Sequence, residues 1–360
     1  MSAANSKRKA AVSKVPAADD FQLTAQSPGK AAKEPSDEQQ ARFEKLMSVQ
    51  RQVLDLDPIS AEVVSFSPRA MVYCGLPYKQ PTMLNAAGKK VPAVYYERQF
   101  SHVLMRIGTM QPSLGLPFGG MARLILSYVT ECAVRRGTKT ISLADNIGDM
   151  LRQFGIESIT GGARGSITSL RKQFLRLRYA NFLIRWSRTG TTFPDGTSAP
   201  PDMYSTTDSM FSIIRDASLW QRNPQGIDTL NFDDDSKYFI ELSDDFFNEI
   251  TKRPVPIDMR AYRALLTNPM AMDLYVYLSY LSSYVKKPFV LPWELLRDQF
   301  RPNIPRLARF KSDFTTALKD VDVVYPNLKV ELDSKVGLTI KPGSVPSVPR
   351  SPSAALIRES

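Results

Sequence analysis

The residues most able to do chemistry lie between Gly161 and Arg188, GGARGSITSLRKQFLRLRYANFLIRWSR, a run with seven Lys/Arg and no acid. Cations gathered without carboxylates suit one task above others, the binding of a polyanion. A guanidinium binds phosphate and can also donate two parallel hydrogen bonds to O6 and N7 of guanine. The candidate nucleic-acid contacts are Arg164, Ser166, Thr168, Arg171, Lys172, Arg176, Arg185 and Arg188. Arg171, Lys172 and Thr168 are expected at base edges or nearby phosphates. Arg164, Arg185 and Arg188 are expected on phosphate, where contacts fix register rather than read sequence. A second basic set, Arg306, Arg309 and Lys311, recurs late in the chain.

Other chemistry is poorly supplied. The chain has one histidine, His102, and two cysteines, Cys74 and Cys132. A structural zinc site needs four such ligands. A Ser-His-Asp triad would have to use His102, and no Gly-x-Ser-x-Gly elbow accompanies it. Gly161–Gly165 is glycine-rich but lacks the lysine of a phosphate-binding loop, so a turn before a helix is the better reading. Asp233, Asp234 and Asp235 could hold Mg²⁺ in a nuclease, but three successive acids more often form a solvated loop. Neither an enzyme nor a cofactor or metal is expected, and Cys132 reads as a buried, inert thiol.

The elements that position the basic run follow from periodicity. Ile167, Leu170, Phe174 and Leu177 recur at helical spacing and give one apolar face. Arg164, Thr168, Arg171, Lys172, Arg176 and Arg178 fall on the other side. Ser166 or Gly165 can start this helix, and its first amides would favour a phosphate. Phe182, Ile184 and Trp186 then alternate with Leu183, Arg185 and Ser187, a strand period. Upstream, Pro117–Arg136 reads as a helix, Thr140–Ile141 as an extended link, and Leu143–Phe154 as a second helix capped by Ser142 and stopped by Gly155. Helix, extended link, helix, turn, basic helix and hairpin is the winged-helix order, in which the last helix enters the major groove.

The order recurs. Lys237–Leu242 reads as a strand, and Ser243 caps a helix over Asp244–Lys252. Asp258–Leu266 reads as a helix, and Asn268-Pro269 starts another over Met270–Tyr284. Leu291–Phe300 and Ile304–Leu318 complete the helices. Val321–Tyr325, Leu328–Leu332 and Val336–Ile340 are expected to form a β-wing, with Pro326-Asn327 as one of its turns.

The expected fold is α+β and mostly helical, with two tandem winged-helix domains between disordered tails. Residues 1–40 read as a basic disordered tail, 41–93 as a helical arm and irregular lead-in, and 94–226 as the first winged helix. Its wing loop spans 189–208. The second winged helix takes 227–342, and 343–360 is a disordered tail. From Asp228 to Glu249 there are eight acids and one lysine, which would keep that side away from DNA.

Composition agrees with this outline. The 360 residues are 43% hydrophobic with a net charge of +11, enough for real cores and suited to a polyanion partner. No apolar run reaches the roughly 18 residues of a membrane span, and the basic start lacks a signal-peptide core. A cytoplasmic, plasmid- or nucleoid-associated protein with no membrane partner is expected.

Several stretches together resemble the RepA-type plasmid replication initiators. They are YCGLPYKQP at 73–81, GLPFGGMARLILSYVTE at 115–131, SLADNIGDMLRQFGI with TGGARGSITSLRKQFLRL through 177, and KRPVPIDMRAYRALLTNPMAMDLYVYLSYL at 252–281. Their strength lies in order and spacing over about residues 70 to 340. The resemblance implies binding to double-stranded origin DNA at repeated sites called iterons. It implies melting of an adjacent AT-rich tract, recruitment of the host initiator and replicative helicase, and a homodimer as one of the protein's states. It brings no catalytic residues. A winged-helix transcriptional regulator or autorepressor would use the same DNA-binding physics and is the alternative.

Overall fold

A computed structural model describes residues 37–189, 204–219 and 238–348. Its chain begins with α1 (Asp37–Asp55), β1 (Val64–Ser67) and a single turn, α2 (Ala70–Tyr73). The hairpin β2 (Thr82–Leu84) and β3 (Lys90–Pro92) follows, then strands β4 (Tyr95–Phe100) and β5 (Val103–Thr109). Next come α3 (Gly119–Arg136), β6 (Thr140–Ser142), α4 (Ile147–Gln153), α5 (Ser166–Arg178), β7 (Ala180–Thr189), β8 (Tyr204–Ser212) and β9 (Ile214–Ser218). After these the chain forms β10 (Phe239–Leu242), α6 (Asp244–Lys252), β11 (Val255–Asp258), α7 (Met259–Ala264) and α8 (Pro269–Ser282). Last are β12 (Phe289–Pro292), α9 (Trp293–Phe300), α10 (Leu307–Val324), β13 (Val330–Asp333) and β14 (Gly337–Ile340). The protein is therefore mixed α and β, with five sheets among the described residues, and not mostly helical as its long apolar periodicities suggest.

Two helices are buried nearly all round and organise the rest. In α3, Ala122, Leu124, Ile125, Leu126, Val129, Cys132 and Ala133 are all buried, more than one amphipathic face provides. Gly137, in the left-handed region at φ 63°, ends it by donating its N–H to Ala133 O at 3.0 Å, as helix-terminal glycines do. In α8, Asn268 Oδ1 accepts from the Ala271 amide at 3.3 Å and Pro269 takes the first turn, so the predicted start holds. The two helices are joined through a buried ion pair, Arg123 Nε to Asp273 Oδ1 at 2.7 Å and Arg123 Nη2 to Asp273 Oδ2 at 2.8 Å.

The first basic run follows the order α3, β6, α4, α5, β7, β8. Helix α4 is shorter than expected. It starts after Asn146, whose Oδ1 accepts from the Asp149 amide at 2.9 Å, and Ser142 does not cap it. Ser142 is held in β6 opposite Phe239, and the Leu143 amide donates to Tyr238 O at 2.9 Å, which keeps the chain extended there. Gly155, at φ 67°, does end the helix. The hairpin of β7 and β8 lies in a four-stranded sheet, order β4-β5-β7-β8. Strand β6 pairs with β10, which pairs with β9 in turn.

The second run follows α8, β12, α9, α10, β13, β14, in a sheet of order β12-β14-β13. The strand β12, read from sequence as the start of a helix, pairs Leu291 with Leu338. Residues 321–324, expected as a strand, are the last turn of α10. Phe310, Phe314, Ala317, Val321 and Val324 share one buried face at helical spacing, and that burial outweighs the β-preference of the valines. Pro326-Asn327 does form a turn, between α10 and β13, with the Leu328 amide donating to Tyr325 O at 3.0 Å; the β13–β14 hairpin turns at Ser334–Val336, where Asp333 Oδ1 accepts from the amides of Lys335 and Val336, both at 2.7 Å.

One continuous core runs through both halves. Elements cross the boundaries drawn from sequence. Strand β1 pairs with β11 over 64–67 and 255–258, and α6 packs against α3 and β8. Helix α1 buries Leu46 and pairs Arg42 with Asp320 of α10. Residues 344–348, grouped with the C-terminal tail above, lie on the body, where Val348 is buried beside Val64 and Phe66. The remaining tail residues, most of the expected wing loop (190–203) and Asp233–Asp235 lie outside the described residues. Among the described residues no helix is long and apolar enough to cross a membrane.

Candidate nucleic-acid interface

Helix α5 presents its predicted core face. Leu170, Phe174 and Leu177 are buried. The preceding turn is glycine-built for a steric reason. A Cβ on Gly165 would stand 2.2 Å from Gly161 O and 2.3 Å from Thr160 O, so no larger residue closes this turn without a shift.

The turn also occupies groups expected to be open. The Ser166 amide donates to Thr160 Oγ1 at 3.0 Å and the Ile167 amide to Thr160 O at 3.2 Å. Two first-turn donors expected to meet phosphate are therefore already satisfied by protein. Ser166 Oγ accepts from the Thr160 amide at 2.9 Å and donates to Ser158 O at 3.2 Å. Thr168 Oγ1 donates to Gly162 O at 2.6 Å. In this structure both hydroxyls brace the turn.

The cations divide into two groups. Arg164, in the turn before α5, and Lys172 are exposed and Arg171 is half-buried; Thr168, Arg171 and Lys172 lie outside the buried face of Leu170, Phe174 and Leu177. Arg176 departs from expectation. It is buried, donates from Nε to Leu114 O at 2.8 Å, and lies 4.7 Å over the Phe118 ring. Its burial pushes the guanidinium below its ordinary range. The helical wheel placed it among solvent-facing residues, but the loop before α3 covers that flank. Gln173, beside it, accepts from the Phe118 amide at 3.1 Å. Arg176 is a packing residue here and is withdrawn from the DNA-contact set.

On the hairpin, Arg185 is held by Asp208 across β7 and β8, at 2.7 and 2.5 Å. The Asp208 carboxyl is held below its ordinary range by those hydrogen bonds. A phosphate contact by Arg185 would have to compete with this pair. The side chain of Arg188 lies outside the described residues; its backbone is in β7, paired with Ser205.

In the second half, Arg306 precedes α10 and Arg309 lies in its first turn, both exposed. Arg309 has only a long pairing to Asp313, at 3.6 Å. Lys311 is committed elsewhere, donating to Ser334 O at 2.6 Å and lying 5.0 Å over the Trp293 ring. It ties α10 to the β13–β14 hairpin. Asp313 on the same helix also accepts from Arg301, so this surface is less purely basic than that of α5.

Sequence reasoning missed an aromatic group around Trp186, towards the loop end of the β7–β8 hairpin. Arg69 lies 5.0 Å over Trp186. Tyr73 packs edge-on against His102 at 4.8 Å and Trp186 at 5.8 Å. Burial, and secondarily the charge of Arg69, hold His102 below its ordinary pKa. Burial pushes the Cys74 thiol up to about 11 and raises that of Cys132, so neither is a ready thiolate. Among the described residues no three His, Cys, Asp or Glu side chains are grouped to hold a metal ion.

Residues 116–294 match the family described as plasmid encoded RepA protein. No curated protein matches the chain. Two solved structures are similar at 14% sequence identity. One is the crystal structure of selenomethionine derivatives of domains 2 and 3 of RctB, with a TM-score of 0.44, covering 77% of this chain and 99% of that one. The other, a crystal structure of RctB domains 2–3, has a TM-score of 0.39 and covers 74% of this chain and 91% of that one.

Proposed function

We propose that this chain, whose residues 116–294 match the family described as plasmid encoded RepA protein, initiates plasmid replication by binding origin DNA. Both basic units act as winged helices, with α5 and α10 entering successive major grooves on one face of the duplex. The repeated sites so bound are iterons. Binding promotes opening of an AT-rich tract and recruits the host initiator and replicative helicase, and the protein passes through a homodimeric state.

The observation that carries this reading is the outer surface of α5 and the turn before it, where Arg171 and Lys172 on the helix and Arg164 in the turn lie in a stretch without a single acid from Gly161 to Arg188. Arg164, Arg306 and Arg309 fix register on phosphates, while Arg171 and Lys172 meet base edges. Arg188 supplies a backbone contact from the hairpin. The alternative, a regulator that only represses transcription, would share the contacts and lack helicase recruitment.

Replacing Arg171 by alanine is expected to weaken specific binding by about 1–3 kcal/mol and relax the preference for one base pair. Competition binding against a library of site variants measures both. Unchanged affinity together with unchanged preference removes Arg171 from the reading surface.

A further inference from the structure

Among the described residues the hairpin of β2 and β3 forms a two-stranded sheet of its own. Every residue from Thr82 to Lys90 is exposed, yet the turn is firmly closed. Asn85 Oδ1 accepts from the amides of Ala87 at 3.0 Å and Lys89 at 2.9 Å. The Asn85 amide donates to Lys89 O at 3.0 Å and the Gly88 amide to Asn85 O at 2.9 Å. Gly88 takes the left-handed conformation at φ 69°, with nothing within 4 Å of a Cβ built there. The tip is thus a closed, small-residue turn, exposed among the described residues.

A lone two-stranded hairpin is at best marginally stable, so its base must be held. The Ala93 amide donates to Pro81 O at 2.9 Å. Pro92 lies so close to Gly115 that a Cβ on that glycine would be 2.8 Å from the Pro92 Cβ. Arg176 completes the anchor, reaching Gln80 Oε1 at 3.5 Å while its Nε bonds Leu114 O. Arg176 follows Lys172 by four residues, one helical turn, so the root of the hairpin adjoins the open surface of α5.

Charge indicates what the hairpin meets. Residues 63–96 contain no acid, and Lys79, Lys89 and Lys90 are exposed at its root and tip. We propose that this hairpin is a second nucleic-acid-binding arm, laying Lys89 and Lys90 on the sugar–phosphate backbone beside the groove that α5 enters. This rests on the reading of α5 as a DNA-facing helix. Met83 and Leu84 are exposed apolar residues, but two side chains do not furnish the roughly 800 Å² per partner of a stable protein interface. They do suit the edge of a minor groove, where proteins often place apolar wedges.

The test compares the full-length wild type with a Lys89→Ala/Lys90→Ala variant, measuring affinity for one DNA duplex over a range of salt concentrations. Each phosphate contact contributes about 0.9 to the slope of log K against log salt. The variant is expected to lower that slope by about 1.8, with site preference unchanged. An unchanged slope overturns the arm while leaving the role of α5 intact if the wild type binds. Failure of the wild type to bind DNA overturns both readings. A variant that changes only the solution mass of the protein, seen by light scattering, marks a contact between copies of this chain and also overturns the arm.

Discussion

Replacing Arg123 with alanine is expected to lower the folding stability by about 3–5 kcal/mol, the loss typical when one partner of a buried ion pair is removed. Arg123 is 3% exposed and holds Asp273 through two hydrogen bonds, 2.7 and 2.8 Å long. It also donates to Leu76 O at 2.6 Å, Gly119 O at 3.0 Å and Pro77 O at 3.3 Å. Burial works to lower its pKa, but the charge and hydrogen bonds of Asp273, with Tyr78 and Tyr262 adding to them, together raise it, so the guanidinium stays charged. Alanine strands the Asp273 carboxylate and removes the guanidinium donor from Leu76 O, while Pro77 O keeps the Gly119 amide at 2.9 Å. Urea unfolding measures the loss. Asp273→Leu with Arg123→Met in one chain should recover much of it, because removing both charges also removes the uncompensated one. A loss below about 1 kcal/mol for the single Arg123 variant contradicts this account of how α3 is fastened to α8.

Trp293→Ala is expected to destabilise by a comparable amount, about 3–5 kcal/mol for loss of a buried large aromatic. The indole is 2% exposed and packs edge-on against Phe310 at 6.2 Å and Phe314 at 5.7 Å. Its Nε1 donates to Asp333 O at 2.9 Å, so it joins α10 to the hairpin that follows. Lys311 loses the ring it lies over. The consequence for function is specific, because Arg306 and Arg309 are carried by the N-terminal end of that helix. DNA affinity should fall even at temperatures where the variant remains folded. Thermal unfolding and DNA binding measured on the same preparation separate the two effects, and unchanged stability would contradict the packing.

Much of the fold was legible because burial and capping write themselves into spacing. Leu170, Phe174 and Leu177 placed α5, and Asn268-Pro269 placed the start of α8. Where two signals competed, the tertiary one prevailed. The valines at 321 and 324 resemble a strand but continue the buried face of α10. Ser142 resembles a cap, but pairing with β10 keeps it extended, and Asn146 takes that role.

The candidate site was legible in sign more than in partner. A sequence shows that Arg176, Arg185 and Lys311 are positive, not which carbonyl, carboxylate or ring each will meet. Arg176 meets Leu114 and Phe118, Arg185 meets Asp208, and Lys311 meets Ser334 and Trp293. None of these partners lies within the same helical turn, so no local periodicity could have announced them. Arg171 and Lys172, whose neighbours along α5 contribute no carboxylate, stay closest to their expected place.

The most direct test of origin binding is a hydroxyl-radical footprint of the purified full-length protein on the DNA flanking its own gene. Repeated protected sites are expected beside an AT-rich tract, each with two clusters of protection on one face about 10 base pairs apart, the spacing of successive major grooves. Weak, uniform protection along the whole fragment, with no repeated site, would contradict origin binding.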